Sequence, residues 1–408
     1  MVERRWKAGG GFLGRMKILW VKSDFLHPTT KGGHIRTLET LKRLHRRHEI
    51  HYVAFDLPEQ AGGVERSSEY CSKVYPIPHR APPRTSPMFW WQAAAGLFSP
   101  LPLAVSRYRS DAMRGRIEAL TRSEEFDAIV CDFLFPAQNI PDLGAAVLFQ
   151  HNVEALIWKR HFEQAGSAVH RMYFHVQYQR MRRFEAEVCR DVKKIIAVSD
   201  ADAEMMRSEY GARSVAAVPT GVDLDYFCAP APREPDIDLV FLGSMDWMPN
   251  IDGMQWFAGE VLPLIRKRLP DCSVAIVGRR PGTKIRQLAE RDNHIEVTGT
   301  VPDVRPYLWR GAVSIVPLRI GGGTRLKIYE AMAAKIPVVS TTVGAEGLDI
   351  RRGENILIAD SPQDFADGCI EMLEDAGARR RLADTAWEMV ATCYSWEVVS
   401  RKFEALLV

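Results

Sequence analysis

The 408-residue sequence contains no Cys-x-x-Cys pair. Its seven cysteines (Cys71, Cys131, Cys189, Cys228, Cys272, Cys369 and Cys393) are scattered and odd in number. Neither a disulfide framework nor a zinc site is indicated, and a reducing cytoplasm fits best. A secretory signal is also missing: "MVERRWKAGGGFLGR" lacks an apolar core and cleavage site and reads as a disordered leader before a start at Met16. No uninterrupted membrane span is present. The uncharged run "TSPMFWWQAAAGLFSPLPLAVS", residues 85–106, is nearly long enough to cross a bilayer, but Pro87, Pro100 and Pro102 interrupt it. Its aromatics and flanking arginines suit a helix at the lipid interface or one gripping a lipid-bearing acceptor. A core helix with a proline-rich turn is an equal alternative.

Two nucleotide motifs are absent as well. In "IGGGTRLKIYEAMAAKIPVVSTT", Ile320 to Thr342, the glycines are followed by Thr324, Arg325, Leu326 and Lys327. The triphosphate loop needs Gly-Lys followed by Ser or Thr, so ATP hydrolysis is disfavoured. The dinucleotide fingerprint belongs at a first strand-helix turn, and this stretch lies late in the chain. No hydrolase triad assembles on a recognisable motif, which sets aside proteolysis and ester hydrolysis. Glycines ahead of a helix still free backbone N–H groups for an anion.

What is present is ample apolar content, 46%, enough for two ordinary domains. The net charge of +3 is unevenly placed, with residues 1–220 holding 32 Lys and Arg against 24 Asp and Glu, and the remainder acidic. A basic half suits an anionic membrane surface or a phosphorylated acceptor, although a solvated face explains it equally well. No nucleic-acid-binding signature accompanies the charge, so nucleic acid is the least expected partner.

"MKILWVKS", "EIHYVAF", "DAIVCDF", "AAVLFQH" and "KKIIAVS" read as buried strands alternating with helices. The helix "GGHIRTLETLKRLHRRH" places Ile35, Leu38, Leu41 and Leu44 on one face, and Ala155 to Asp191 is helical. After a proline-bearing connector the pattern restarts with "IDLVFLGSMDW", a helix through Trp256 and Ile265, then "CSVAIVG", "HIEVTGTV", "AVSIVPL", "IPVVSTT" and "NILIAD". The expected fold is α/β with two doubly wound Rossmann-like domains. The domains are expected at 16–220 and 237–391, with a connector at 221–236 and a C-terminal helix in 392–408. Ligands of such sheets bind at the carboxyl ends of the strands.

Together, "GGHIRTLETLKRL", "FQHNVEA", "VPTGVD", "VFLGSMDWMPNIDG", "VTGTVPDV", "VPLRIGGGTRLKIYEAMAAKIPVVST" and "GAEGL" resemble the nucleotide-sugar-dependent glycosyltransferases of group 1, or family 4. The resemblance runs from Met16 nearly to the end. It implies the GT-B architecture, two domains facing across a cleft with the last helix returning to the first. It further implies a hexosyltransferase-like enzyme that retains anomeric configuration, needs no cofactor or metal, and uses a nucleoside diphosphate sugar. The expected acceptor is a glycan or polyprenyl-diphosphate-linked glycan at the inner membrane surface, in cell-surface polysaccharide synthesis. A nucleotide-sugar epimerase of the same architecture, or a non-catalytic nucleotide-sugar-binding protein, are the alternatives.

Relatives usually carry two glutamates separated by seven residues. Glu330 matches the second, which the resemblance casts as a ribose clamp, whereas Gly322 stands at the first. The amides of Gly322, Gly323 and Thr324 are expected to take its place. The loop "GSMDWMPN" has no cation where relatives carry an Arg and a Lys, so Arg325 and Lys327 are the expected diphosphate partners. The plain alternative is a Lys327–Glu330 pair on an exposed helix. Gly32 and Gly33 are expected near the diphosphate or acceptor, and His151 near the reacting sugar with Asn152 beside it. Gly278, Thr300 and Val301 are expected at the base. Ser244, Asp246 and Glu346 complete the expected cleft, with Asp246 equally able to cap the helix near Asn250.

Overall fold

The computed structural model describes residues 14–29, 32–58, 62–79, 99–163, 165–231, 234–320 and 325–408. They form two compact units: residues up to Pro219 with Val399–Val408, and Thr220–Val398. Residues 85–98, most of the uncharged aromatic run, lie outside the described residues, as do Gly322, Gly323 and Thr324.

Unit 1 is built on an all-parallel sheet of β1 (Lys17–Val21), β2 (Glu49–Asp56), β3 (Lys73–Pro78), β4 (Ala128–Asp132), β5 (Ala146–Phe149), β6 (Lys194–Ala197) and β7 (Val215–Ala217). The order is β3-β2-β1-β4-β5-β6-β7. "ILWV", "VLF" and "IIA" are apolar at every position because helices cover both faces of a parallel sheet. Trp20 sits in register between Tyr52 and Val130. Two strands escape a reading by hydrophobic runs. β3, "KVYPIP", carries two prolines, which an edge strand tolerates because only one side must pair. β7 is three residues long on the opposite edge.

Unit 2 repeats the plan with β8 (Ile237–Leu242), β9 (Val274–Val277), β10 (Ile295–Gly299), β11 (Gly311–Val316), β12 (Val338–Ser340) and β13 (Leu357–Ile358), in the order β10-β9-β8-β11-β12-β13. In each unit the first strand lies between the second and one reached later, β1 beside β4 and β8 beside β11. That reversal opens a crevice at the strand ends.

The helices that carry site residues are α1 (Gly32–His45), α2 (Glu154–Glu163), α3 (Ala168–Asp191), α4 (Met248–Trp256), α5 (Leu326–Ala333) and α6 (Trp396–Ala405). α1 corrects one expectation. Its buried stripe is His34, Thr37, Leu38, Leu41 and Leu44, and Ile35 is 39% exposed. A strict spacing of three drifts off a 3.6-residue face, so Ile35 rotates outward. The helix expected over Ala155–Asp191 is two, broken at Gly166 and restarted by the Ser167 side chain, which accepts from the His170 N–H. Beyond α4 the helix widens into a π-helical turn over Phe257–Val261, just before Pro263 removes a backbone donor.

The end of α6 belongs to unit 1. Phe403, 1% exposed, packs its ring 4.7 Å from Phe149 and 5.7 Å from Trp20. Glu404 accepts from His48 Nε2 at 2.7 Å and pairs with Arg47. Phe403→Ala should destabilise unit 1 by about 3–5 kcal/mol, the usual range for emptying a buried phenyl site. Urea unfolding followed by tryptophan fluorescence checks this, and a shift below about 1 kcal/mol would show that α6 is not part of that core.

Candidate active site

In unit 1 the crevice between β1 and β4 holds a buried carboxylate. Asp132 ends β4, is inaccessible to solvent, and accepts four hydrogen bonds. Trp20 Nε1 (2.8 Å) and Thr37 Oγ1 (2.7 Å) donate to Oδ2, and Lys22 Nζ (2.8 Å) and His151 Nε2 (2.8 Å) reach Oδ1. Burial alone would raise its pKa, but Lys22 and His151 outweigh it and hold the carboxyl well below the usual range. The next residue, Phe133, has φ 77°, a strained conformation for a bulky side chain. Its ring lies against His151.

His151 follows β5. With Asp132 ionised, Nε2 carries the proton, so the neutral ring presents Nδ1 as an acceptor. Burial pulls the imidazole down to about 4, with Lys22 and Arg36 acting in the same direction and Asp132 opposing them. Nδ1 is buried and has no hydrogen-bond partner among the described residues. A Cβ built on Gly33 would sit 3.9 Å from Nδ1, so α1 begins directly against this ring. Gly32, one residue earlier, is exposed with open space around it. Behind it, Arg36 is buried and donates to the carbonyls of Gln150 and Val218, tying strand ends together. Asn152 Nδ2 donates to Glu154 Oε1. Glu154 and Glu185 are buried close together, and burial raises them to about 8 and about 7 respectively. Glu185 accepts from Gln150 Nε2 and the N–H groups of Glu154 and Ala155, fixing the turn that carries His151.

In unit 2 a pocket of about 490 Å³ is lined by Gly243, Ser244, Asp246, Trp247, Asn250, Arg279 and Lys327. Lys327 extends from the first turn of α5, passes 4.4 Å over the Phe241 ring and donates to Asn250 Oδ1 at 3.0 Å. Asn250 in turn donates to the Ser244 carbonyl. A side chain at Gly243 would strike Lys327 Nζ and Asn250 Nδ2, so only glycine leaves room for the ammonium. Burial pulls Lys327 down to about 7; Glu330 opposes the shift and Arg325 adds to it. One turn on, burial pushes Glu330 up to about 7 against the attraction of Lys327. No ion pair within 4.0 Å joins the two among the described residues, and the Glu330 carboxyl accepts no hydrogen bond there.

The other expected residues divide. Gly278 allows a close approach, but to protein: a Cβ there would fall on the Gly243 carbonyl oxygen. Arg325 is 3% exposed and donates to the Val343 carbonyl near the exposed Glu346, so it stands behind Lys327 and does not line the pocket. Asp246 does not cap α4, whose first turn has no side-chain cap; it accepts from Ser244 Oγ. Thr300 is exposed and Val301 packs against the unit 2 core. Asp132, Lys22 and Arg279 escaped the sequence reading. For Asp132 and Lys22 the signal was a charged residue ending an otherwise apolar parallel strand, or following it directly, next to the strand-order reversal. A larger pocket, about 650 Å³, lies in unit 1 beside Arg182, Arg183 and Arg190 of α3. Its arginines are exposed and it contains none of the buried polar groups above, so the smaller pocket is the better candidate.

The model for "Glycosyltransferase Family 4" matches residues 30–226, and that for "Glycosyl transferases group 1" matches 236–375. The chain belongs to the group 1, family 4 glycosyltransferases. It is an enzyme of the transferase class, and its paired parallel sheets are the GT-B fold. Among similar proteins is an uncharacterized 44.6 kDa protein in the cps region of Klebsiella pneumoniae, 22% identical over 93% of this chain and 96% of its own length. A phosphatidyl-myo-inositol mannosyltransferase of Mycobacterium tuberculosis is 32% identical over 50% of this glycosyltransferase, which spans 56% of that relative's length. The Anabaena Alr3699/HepE structure in complex with UDP matches with TM-score 0.66 at 13% identity, covering 96% of this chain and 99% of that one. WaaG, a glycosyltransferase involved in lipopolysaccharide biosynthesis, matches with TM-score 0.61 at 13% identity, covering 96% and 99%.

Asp132→Asn would leave the Lys22 ammonium buried without its counter-ion. It should cost about 3–5 kcal/mol, as does breaking a buried pair from one side. Denaturant unfolding of the variant measures this, and a loss below about 1 kcal/mol would mean that Lys22 is solvated and the network is not the one described.

Proposed function

We propose that this glycosyltransferase moves a sugar from a nucleoside diphosphate sugar to a glycan or lipid-linked acceptor in cell-surface polysaccharide assembly, with retention of configuration. The observation that carries the reading is the half-buried Lys327 ammonium opening into a pocket one helical turn from a half-buried Glu330 carboxyl that accepts no hydrogen bond among the described residues. The lysine meets the diphosphate, whose charge grows as it leaves, and Glu330 accepts from the ribose hydroxyls. The amides of Gly322, Gly323 and Thr324 are assigned to the same phosphates. Arg325 adds positive field from behind. Thr300 and Val301 are assigned to the base by backbone contact.

His151 Nδ1 accepts a hydrogen bond from a sugar hydroxyl, and Asp132 keeps the ring in the tautomer that allows it. A leaving-phosphate oxygen takes the acceptor proton, so the front-face route requires neither a protein nucleophile nor a metal ion. The UDP complex of a structural neighbour and the cps-region and lipopolysaccharide contexts of others support donor type and pathway class. Among the described residues no helix is long and apolar enough to cross a membrane. Contact with the inner membrane surface is proposed through the basic first unit, where Val169 and Met172 of α3 are 79% and 66% exposed on the helix that carries Arg182, Arg183 and Arg190.

Purified protein titrated with UDP and GDP sugars, then assayed for product with polyprenyl-diphosphate-linked acceptors, tests the proposal. Transfer requires both substrates. Donor turnover without acceptor would make it an epimerase, and binding without turnover a sensor. No binding at millimolar concentration would end the reading.

A pH dependence follows from the lysine. Its pKa is lowered, so in the empty site the ammonium is lost as pH rises through about 7, and a bound diphosphate restores it. The groups facing it are Glu330, which itself titrates around 7 and is ionised only above that, and Arg325. Nucleoside diphosphate binding should therefore take up a proton and weaken with pH above 7, by up to about tenfold per unit. Calorimetry in buffers of different ionisation enthalpy reads the uptake. The dependence should vanish in Lys327→Met, and an unchanged slope there would place the titration elsewhere.

A further inference from the structure

The diphosphate site has one cation too few. A nucleoside diphosphate brings at least two negative charges into the pocket, and Lys327 supplies a single ammonium. Arg325 is committed to the Val343 carbonyl. The loop Gly243–Asn250 offers hydroxyl, amide and indole groups but no cation.

The end of β9 supplies another. Gly278 lacks a side chain, so the backbone there closes on the Gly243 carbonyl, and two hydrogen bonds fix the approach: Gly243 N–H to the Val277 carbonyl and Met245 N–H to the Arg279 carbonyl, both 2.9 Å. This contact sets Arg279 beside Ser244 on the wall of the pocket that holds Lys327. Arg279 Nε donates to Ser244 Oγ at 2.8 Å, and among the described residues its two terminal nitrogens make no hydrogen bond. They form the planar fork that engages a phosphate through two parallel N–H donors. The anion beside this guanidinium, on its Nε side, is a side chain. Asp246 accepts from Ser244 Oγ, lies 3.4 Å from Arg280 and 3.9 Å from Arg279, and lines the same pocket. Arg280 reaches it from a backbone at φ 53°, the left-handed region that non-glycine residues rarely occupy.

We propose that Arg279 is the second cation of the diphosphate site, and that Asp246 is its resting counter-ion, displaced when the diphosphate enters. The proposal rests on the reading that unit 2 holds a nucleoside diphosphate sugar. It assigns to the end of β9 the charge that the loop after β8 lacks. Asp246 thereby sets affinity: it lowers it by competing for Arg279 and Ser244, and it keeps the arginine aimed at the pocket while no donor is bound.

Calorimetry on the full chain with UDP, GDP, uridine, guanosine and inorganic pyrophosphate decides it. Arg279→Ala should weaken the diphosphates and pyrophosphate by about tenfold or more and leave the nucleosides unchanged. Arg279→Lys, which keeps the charge but loses the fork, should fall between. Asp246→Asn should tighten the diphosphates by about two- to fivefold, with the gain shrinking as salt is raised. The Arg279 side chain is about half exposed and that of Asp246 a third exposed, and unchanged melting curves confirm that folding is intact. Wild-type pyrophosphate affinity in Arg279→Ala, or equal loss of nucleoside and diphosphate, would remove Arg279 from the site. Weaker binding in Asp246→Asn would make Asp246 a required ligand partner and overturn the counter-ion role. If the wild type binds none of the five probes, the donor-site reading itself fails. If Lys327→Ala loses the diphosphates while Arg279→Ala keeps them, this inference alone fails.

Discussion

A lysine ammonium has three protons to donate, and at the pocket wall of unit 2 the half-buried Lys327 ammonium has, among the described residues, one acceptor, Asn250 Oδ1, and an aromatic face beneath it. Leaving a buried charge in that state is costly unless an anion completes it. The surroundings are arranged around this requirement. Gly243 has no side chain because the ammonium occupies that space, Gly278 has none because Gly243 must close on it, and Asn250 is oriented by the Ser244 carbonyl. Each of these constraints concerns backbone proximity at the carboxyl ends of β8 and β9, where a parallel sheet collects its ligands.

Unit 1 shows the opposite solution to the same problem. Its buried carboxylate is saturated, with four donors from two strand ends and a helix converging on Asp132. A group so fully satisfied binds nothing further; it positions its partners. The partner whose buried ring nitrogen has no hydrogen bond among the described residues is His151, with Nδ1 against the start of α1. Saturated carboxylate and unsaturated imidazole together separate scaffold from contact group. In unit 2 the same distinction separates Arg325, turned to a backbone carbonyl, from Lys327 and Glu330.

The strands of both sheets were legible in the sequence, because a strand buried on both faces is written as an unbroken apolar run. β3 and β7 were not, since edge strands need neither continuous apolarity nor freedom from proline. Glu330, Lys327 and His151 were singled out as candidates by motif and by strand-end position. Arg279 was not, because its place depends on the backbone contact between Gly278 and Gly243, which joins two loops 35 residues apart and leaves no local pattern. The same contact explains why Gly278 was given to a ligand when its space is taken by protein. Arg325 and Lys327 are alike in the sequence, but two residues along a helix turns one of them toward Val343 and the other into the pocket.

The central claim is that an anion completes the Lys327 site while Glu330 takes the nucleoside. A crystal structure of the protein with UDP tests it most directly. The account predicts phosphate oxygens within hydrogen-bond distance of Lys327 Nζ and both ribose hydroxyls donating to Glu330. A nucleotide bound elsewhere, for instance among the arginines of α3, with Lys327 still held only by Asn250, would contradict it.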